Sequence, residues 1–378
     1  MPQPSPAAAW ESSLTNSLGL YIHIPFCLRK CNYCSFYSVT PSDDIKAEYV
    51  KKISEETKKW GGRTARPIDT LYIGGGTPSL LSERELTDIL TAVRENFNLL
   101  PDAEITVEVN PGDNTEKFLG FAKNLGVNRI SIGVQSADDG ELDLLGRRHS
   151  FNQAVKTVQD ARKTGFDNIS ADIMIGLPDS NTDTLKKSLD GILSLATEHI
   201  SAYILKIEEG TPFFRDDISL PNEDEVADQY LIMCEAFEKA GYEHYEISNF
   251  AKQGYESRHN NRYWLLSDYI GIGPAAHSFF EGKRFYYPAD LCEFLKGDAP
   301  VPDGEGGDSE EFIMLSLRLS RGLVFSEYEK RFGHTLPEKI IKKAKLFEKQ
   351  GLCRCDSEHI ALTNAGMLVS NSIIGEFI

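Results

Sequence analysis

The sequence has few basic residues for its length and contains no long apolar run. Its 378 residues include 40 Lys and Arg against 57 Asp and Glu, which gives a formal net charge of -17 at pH 7. No block rich in Lys and Arg occurs, and an acidic chain binds polyanions poorly, so we expect no nucleic-acid partner. The sequence also has no run of about eighteen apolar residues, so we expect no membrane span.

The amino terminus lacks the features of a secretory signal. Residues 1–10, MPQPSPAAAW, have no basic start and no apolar core, so residues 1–18 are predicted to be a disordered extension. The 7 cysteines are odd in number and unevenly placed. Without a secretory signal, this pattern favours a reducing compartment in which thiols are free to bind metal. We therefore expect a cytoplasmic protein.

Three of the cysteines lie close together, directly after an apolar run. Cys27, Cys31 and Cys34 have C-x3-C-x2-C spacing within YIHIPFCLRKCNYCSFY, residues 21–37. Three thiolates can hold a [4Fe–4S] cluster and leave its fourth iron open to a small ligand. Two alternatives are a zinc site completed by His23 or a distant residue, and ordinary thiols. Structural zinc sites usually come as paired knuckles, which this loop does not provide.

Short β-rich runs alternate with amphipathic helical patterns over most of the chain. The predicted strands are 19–24, 70–73, 104–109, 129–133, 168–173 and 200–205, with a short appended run at 244–247. The predicted helices are 44–60, 82–97, 115–125, 151–164, 182–196 and 223–240. This alternation predicts parallel β/α units. Six such units make an α/β fold with an incomplete barrel, which we assign to residues 19–255.

The remaining chain predicts two further segments. Residues 256–307 are interpreted as a loop-rich connection. Residues 308–378 are predicted to form a small α+β, winged-helix-like C-terminal domain, because two helices at 310–319 and 337–350 precede a hairpin at 352–362.

Polar and glycine-rich motifs follow the predicted strands at their carboxyl ends. They are GGGTP at 74–78, EVNP at 108–111, GVQ at 133–135, DIMIGLP at 172–178 and KIEEG at 206–210. In β/α barrels this end of the strands carries the active site, and the cysteine loop joins it because it follows the first strand. Consecutive glycines allow backbone groups to approach a ligand closely, although a simple turn is the alternative. No G-K-[ST] follows, which disfavours a phosphate loop.

The cysteine loop and the glycine run together resemble those of the radical S-adenosylmethionine (SAM) superfamily. From Tyr21 to the carboxyl terminus the chain resembles its oxygen-independent coproporphyrinogen III oxidase family, and more narrowly the haem chaperone (HemW) branch. The resemblance implies that Cys27, Cys31 and Cys34 hold a [4Fe–4S] cluster whose open iron binds SAM. The SAM-binding residues that it implies are Tyr21, Tyr33, Gly75, Gly76, Thr77, Glu108, Gln135, Arg147, Asp172, Lys206 and His277.

The run HNNRYW at 259–264 matches the H-N-x-x-Y-W motif associated with haem binding in that branch. His259 can serve as an axial iron ligand, and Tyr263 and Trp264 can cover a porphyrin face. The alternative is a loop anchored by a buried Trp, with His259 hydrogen-bonded within the protein.

One position departs from the decarboxylating members of the family. They carry a fourth cysteine two residues after the third, where this chain has Phe36, and they have a longer amino-terminal arm. The expected function is therefore a haem chaperone that binds haem and transfers it to haem proteins, with a cluster, SAM and an electron donor. The alternatives are a coproporphyrinogen III oxidase of porphyrin biosynthesis and a zinc-stabilised binding protein. Whether the protein is an enzyme, and whether it forms a homodimer, stay open.

Overall fold

The computed structural model of the protein describes residues 14, 16–112, 115–216 and 218–378. Within them, six parallel strands form the centre of the fold: β1 (Leu18–Ile24), β2 (Ile68–Gly75), β3 (Leu99–Val109), β4 (Arg129–Gln135), β5 (Ile169–Ile175) and β6 (His199–Ile204). They lie side by side in chain order. The predicted architecture of parallel β/α units is confirmed. The extension predicted for residues 1–18 lies mostly outside the described residues, and Leu18 already belongs to β1.

Helices connect these strands close to their predicted positions. They are α1 (Asp43–Gly61), α2 (Glu83–Asn96), α3 (Thr115–Asn124), α4 (Asp139–Leu144), α5 (Phe151–Thr164), α6 (Thr182–Ser194), α7 (Pro212–Arg215) and α8 (Glu223–Lys239). The start of α2 illustrates how the sequence sets a boundary, because Ser82 and Glu85 form a reciprocal capping box. The short helices α4 and α7 were not predicted.

The two faces of the central sheet differ in chemistry. Successive side chains in a strand point to opposite faces, and Leu20, Ile22 and Ile73 on one face are fully buried in the apolar core. The other face, called here the polar face, carries hydroxyl, carboxyl and imidazole groups. Its members include Tyr21, Thr70, Tyr72, Glu104, Glu108, Ser131, Ser170, Asp172 and His199. Parallel strands usually read as continuous apolar runs, so this alternation indicates an interior built for polar contacts.

Residues 256–307 differ from the predicted loop-rich connection. They form α9 (Arg258–Trp264), β9 (Tyr269–Ile272), β10 (His277–Phe280), β11 (Lys283–Tyr286), α10 (Leu291–Lys296) and β12 (Val301–Glu305). Strand β9 pairs in parallel with β1, and β10 to β12 continue the sheet in antiparallel fashion. At the opposite edge, β7 (Glu243–Glu246) and β8 (Asn249–Ala251) pair next to β6. The segment therefore extends the sheet and does not merely connect two domains.

The C-terminal region forms a smaller α+β unit with its own sheet. Its elements are α11 (Ser309–Ser316), β13 (Leu323–Val324), α12 (Phe325–Phe332), α13 (Glu338–Lys349), β14 (Cys353–Cys355), β15 (His359–Leu362), α14 (Asn364–Leu368) and α15 (Ser370–Phe377). The strands pair in the order β13-β15-β14. The predicted hairpin is present, whereas α12 and β13 were not predicted. In the part of the chain that the structure describes, we find no helix that could cross a membrane.

Candidate functional site

The cysteine loop leaves the carboxyl end of β1 and is closed by backbone hydrogen bonds. The Cys27 amide donates to the Val39 carbonyl at 3.0 Å, and the Val39 amide donates to the Pro25 carbonyl at 2.7 Å. Cys27, Cys31 and Cys34 are all half-buried and none forms a disulfide. The three thiols thus lie at the carboxyl end of the parallel strands, as predicted.

The loop rests on the end of α4 and on the segment that follows it. The Asn32 side-chain amide donates to the Leu144 carbonyl at 2.8 Å, and Arg29 donates to the Gly146 carbonyl at 2.8 Å. Gly146 has a φ of +72°, and a Cβ there would lie 3.0 Å from the Asn32 side chain. A glycine is therefore needed at this contact, which brings the loop beside Arg147.

Arg147 places a positive charge next to the thiols. Its Nη1 lies 3.8 Å from Cys31 Sγ, and its Nη2 donates to Asn110 Oδ1 at 2.8 Å and to the Gly133 carbonyl at 2.5 Å. Among the described residues, the buried Nε of Arg147 has no hydrogen-bond partner. A guanidinium in this position can donate a charge-assisted hydrogen bond to the Cys31 sulfur.

The glycine run passes tightly between β1 and the cysteine loop. Gly75 has a φ of +112°, and a Cβ there would lie 2.6 Å from the His23 ring. A Cβ on Gly76 would lie 2.7 Å from the Phe26 carbonyl oxygen. A side chain at either position would displace backbone or a buried ring. The two glycines are therefore required by the close approach of the run to β1 and the cysteine loop, and not only by a turn.

Thr77 and Asn110 connect the glycine run to the cysteine loop. Thr77 Oγ1 lies 3.4 Å from Cys27 Sγ and accepts a hydrogen bond from Asn110 Nδ2 at 2.8 Å. Asn110 also receives the bond from Arg147. The sequence did not predict a role for Asn110, although the residue belongs to the EVNP motif at the end of β3.

Glu108 bridges two neighbouring strands below the glycine run. Its Oε2 accepts from the Gly75 amide at 2.9 Å, and its Oε1 accepts from the Tyr72 hydroxyl at 2.9 Å. Burial, with a contribution from the charge of Asp172, raises the pKa of Glu108 to about 7. Burial likewise raises the pKa of Asp172 to about 6, although Ser131 donates a hydrogen bond to it at 3.0 Å.

Gln135 converges with Arg147 at the end of β4. It has a φ of +72°, which is rare for a residue other than glycine and marks a conformation that the surroundings impose. A Cβ on Gly133 would lie 3.0 Å from Gln135 Nε2 and 3.1 Å from Arg147 Nη2. The side chains of Gln135 and Arg147, which belong to separate sequence motifs, therefore lie close together beside Gly133.

The two predicted tyrosines lie in different elements, and both are half-buried. Tyr33, inside the cysteine loop, contacts the Arg147 guanidinium and packs against an apolar cluster that includes Phe213. Tyr21 lies within β1, where its hydroxyl is hydrogen-bonded to His23 Nδ1 at 2.9 Å. Burial raises the pKa of both phenols, so each acts as a neutral hydrogen-bonding group.

Two other predicted SAM residues, Lys206 and His277, contact residues outside the cysteine loop and the glycine run. Lys206 has a side chain that is 80% exposed and forms an ion pair with Glu208 at 3.2 Å. His277 is exposed at the start of β10, where its ring stacks on Tyr286 with centroids 5.2 Å apart. Their assignment to SAM stays a prediction.

A cavity of about 380 Å³ lies beside the cysteine loop and the glycine run. Its lining includes Arg29, Cys31, Thr77, Asn110 and Arg147. The cavity therefore brings together thiol, hydroxyl, amide and guanidinium groups from the cysteine loop, the glycine run and the ends of other strands.

These residues fit a [4Fe–4S] cluster held by three thiolates. A cationic donor lies at Cys31 and a hydroxyl lies at Cys27, and both can stabilise anionic sulfur. Among the described residues, no three His, Cys, Asp or Glu side chains converge as the ligands of a single ion do. A four-iron cluster takes its thiolates on separate irons, so it does not require that convergence.

The predicted haem residues lie at the opposite, amino-terminal end of the strands, on α9. His259 is 1% exposed, with Nδ1 hydrogen-bonded to Thr70 Oγ1 at 2.9 Å and Nε2 to the Tyr263 hydroxyl at 2.9 Å. Burial lowers the pKa of His259 to about 3, so the ring is neutral. In this conformation neither ring nitrogen is open to an iron. The arrangement matches the alternative of an internally hydrogen-bonded histidine.

Trp264, at the end of α9, is only half-buried. Its Nε1 has no hydrogen-bond partner among the described residues, and the Arg318 guanidinium lies 5.9 Å from the centre of its ring. Tyr263 contacts Tyr269 edge to face, with centroids 4.5 Å apart. The two aromatic residues of the motif therefore do not form one continuous open surface with His259.

A partial barrel with three cysteines after its first strand and a glycine run after its second defines a radical SAM protein. The family model described as the Radical SAM superfamily matches residues 21–192, and the model of the HemN C-terminal domain matches residues 309–369.

Curated relatives extend the match to the whole chain. The Bacillus subtilis protein named "Heme chaperone HemW" is 34% identical, over 95% of this chain and 98% of the relative. The Danio rerio "Radical S-adenosyl methionine domain-containing protein 1, mitochondrial" is 36% identical, over 98% and 87%. The crystallographic neighbour titled as coproporphyrinogen III oxidase (HemN) from Escherichia coli has a TM-score of 0.84 and 22% identity, over 98% and 92%, and supports the fold. The chain belongs to the radical SAM superfamily and, within its coproporphyrinogen III oxidase-like family, to the HemW branch. Membership of the superfamily implies a [4Fe–4S] cluster and SAM.

Proposed function

We propose that this protein binds haem and delivers it to haem proteins, and that it carries a [4Fe–4S] cluster on Cys27, Cys31 and Cys34 with SAM beside it. Haem is the cargo. The partners are haem-receiving proteins and an electron donor, and the compartment is the cytoplasm.

The observation that carries this proposal is the residue at position 36, in a chain whose relatives over nearly its whole length include several that are named haem chaperones. The decarboxylating oxidases that the chain resembles have a cysteine there, whereas Phe36 is 66% exposed and offers no thiol. An exposed aromatic ring at the cysteine loop supplies apolar contact surface and no ligand to a metal. The coproporphyrinogen III oxidase activity is therefore the second candidate.

The groups around the cysteine loop support a SAM site. When SAM and the cluster are bound, they supply one-electron chemistry. Arg147 would hold a carboxylate through its guanidinium fork. The backbone of Gly75 and Gly76, with Thr77, would contact the methionine part, and Glu108 and Gln135 would hydrogen-bond polar groups. Tyr21, Tyr33, Asp172, Lys206 and His277 stay further predicted contacts.

Haem contact through residues 259–264 requires a rearrangement. An iron can bind His259 only after one ring nitrogen leaves Thr70 or Tyr263. The released partner hydroxyl then needs water or the cargo as a new partner. We therefore propose that His259 binds haem in an opened state of α9, with Tyr263 and Trp264 covering part of the porphyrin.

Two anaerobic measurements on the reconstituted protein test the function. Titration with haem should give a saturable Soret change, and His259→Ala should weaken or shift it without changing the absorbance of the cluster. Incubation with reductant, SAM and coproporphyrinogen III should give no protoporphyrinogen by chromatography. Protoporphyrinogen formed over many turnovers would overturn the chaperone proposal and restore the oxidase, and the absence of any saturable haem binding would also refute it.

A further inference from the structure

A line of contacts joins α9 to the glycine run across the polar face. The His259 ring packs on the Tyr72 ring with centroids 5.3 Å apart and an interplanar angle of 31°. The Tyr72 hydroxyl donates to Glu108, and Glu108 in turn accepts from the Gly75 amide. Three contacts thus connect the amino-terminal end of the strands with the predicted SAM site at the carboxyl end.

The space around Tyr72 and Glu108 leaves little room for other arrangements. A Cβ on Gly74 would lie 2.7 Å from the Tyr72 ring and 2.8 Å from Glu108 Oε1. The rings of His259 and Tyr21 also lie beside the Tyr72 ring, with centroids 5.3 and 6.2 Å away. Tyr72 is half-buried, so removing one of these neighbours leaves its ring free to move.

We propose that His259 is a positioning residue for the SAM site, because it seats Tyr72 and Tyr72 fixes Glu108 and the backbone of Gly75. The inference rests on the SAM site of the proposed function and assigns α9 a role that does not depend on haem. The Glu104 carboxylate fixes the start of the helix, since it accepts from the amides of Arg258 and His259 at 3.1 and 3.0 Å. Helix α9 is therefore anchored firmly enough to hold a ring in place.

His199 provides a matched control. It is also fully buried on the polar face, with Nδ1 hydrogen-bonded to Ser170 at 2.8 Å and Nε2 to the Tyr245 hydroxyl at 2.8 Å. Its ring contact is with Tyr245 and not with Tyr72. Replacing His199 removes a buried imidazole between two hydroxyls, as replacing His259 does, but leaves the line to Glu108 intact.

The first test is the SAM dissociation constant of the reconstituted protein, measured by anaerobic equilibrium dialysis. His259→Ala should weaken SAM binding by about tenfold or more, as the loss of outer hydrogen-bonding partners does at metal sites. Tyr72→Phe keeps the ring and removes the hydroxyl, so it should also weaken binding. The double variant should bind SAM no more weakly than the more affected single variant, because both changes interrupt the same series of contacts. His199→Ala should stay within about twofold of the wild type.

The second test uses the protein without cluster or SAM and follows the infrared band of the protonated Glu108 carboxyl against pH, identified by its loss in Glu108→Gln. The hydrogen bond from the Tyr72 hydroxyl lowers the pKa of Glu108. A variant that weakens this bond should therefore move the midpoint of the Glu108 titration upward from about 7. We expect that shift in His259→Ala and Tyr72→Phe, and not in His199→Ala. If His259→Ala does not fold, His259→Gln replaces it, since Gln can keep a bond to Thr70 but lacks the ring.

The outcomes separate this inference from the proposed function. Unchanged SAM affinity in a folded His259 variant, or an equal loss in His199→Ala, overturns the inference. A wild-type protein that binds no SAM refutes the SAM site of the proposed function, and the Glu108 titration then decides the inference alone. An unshifted midpoint in that titration overturns it.

Discussion

The ion pair between Arg262 and Asp69 should be the most costly single contact to break in α9. Their side chains are 0% and 1% exposed, and Arg262 also donates to Ser17 Oγ at 2.7 Å and to the Asp268 carbonyl at 3.1 Å. A Cβ on Gly19 would lie 2.6 Å from Arg262 Cδ, so β1 makes room for this side chain. We choose Arg262→Met, which keeps most of the buried volume and removes the charge.

The expected magnitude follows from the burial of both partners. Removing one member of a buried pair leaves the other charge desolvated, which costs about 3–5 kcal/mol of unfolding free energy. At about 1.4 kcal/mol per factor of ten, this lowers the folding equilibrium constant by roughly a thousandfold. The double variant Arg262→Met with Asp69→Leu removes both charges, and we expect it to recover most of the loss, because apolar replacements of buried pairs are often neutral.

Urea unfolding monitored by pulse proteolysis measures these differences. The matched control is Arg84→Met, because the pair between Arg84 and Asp88 lies on the surface, with side chains 91% and 52% exposed and 3.9 Å apart. An exposed pair contributes less than about 1 kcal/mol. The reasoning is refuted if Arg262→Met unfolds at the wild-type urea concentration, or if the double variant is no more stable than the single one.

Three further predictions concern the cluster, the pH dependence of stability and the glycine run. Changing any cysteine of the loop to Ala should abolish the brown absorbance after anaerobic reconstitution and leave the protein soluble; a triple variant that still takes up about four irons would contradict the assignment. Burial raises the pKa of Glu246 to about 7 from its usual value near 4.5, so the stability that its protonated form provides is present below pH 4.5 and is lost as the pH rises through 7. Glu246→Gln should therefore remove up to ~3 kcal/mol of the pH dependence of the unfolding free energy in this range. Urea midpoints that change with pH in the same way in the wild type and the variant would contradict this prediction. Gly76→Ala should weaken SAM binding because its Cβ meets the Phe26 carbonyl. Gly120→Ala lies in α3, where the new Cβ meets no atom of the described residues within 4 Å beyond its own helix, so this variant should bind SAM normally and be slightly more stable. Equal SAM affinities of the two variants would argue against the close approach at Gly76.

The parallel core could be predicted because each strand and helix carries its own local signal. Strands β1 to β6 end in polar or glycine-rich motifs, and α2 begins with a capping box visible in the sequence. The meeting of the strand-end motifs at the cysteine loop was predictable for the same reason, whereas Asn110 received no role and Arg147 was assigned only through the family resemblance. Parallel strands bring their carboxyl ends to one edge, so motifs far apart in the chain are predicted to converge there.

Helix α9 could not be predicted, because its stability depends on distant residues. Its seven residues lack an apolar period, and its first amides are satisfied by Glu104, more than 150 positions earlier in the chain. The haem motif was therefore interpreted as part of a loop. The bond of His259 to Thr70 likewise depends on a tertiary contact, whereas its bond to Tyr263 is local to the helix. The sequence analysis had left an internally hydrogen-bonded histidine as its alternative.

The two roles proposed for His259 have a consequence for the order of loading. If a haem iron takes Nε2, the contact between His259 and Tyr263 must break, and a turn of the His259 ring would change its packing on Tyr72. Cargo and SAM would then compete for one arrangement of the barrel interior, although they would lie at opposite ends of it. Thermodynamic reciprocity requires that SAM lowers the affinity for haem by the same factor as haem lowers the affinity for SAM. Such a protein would release its cargo more readily after SAM arrives, without any contact between the two ligands.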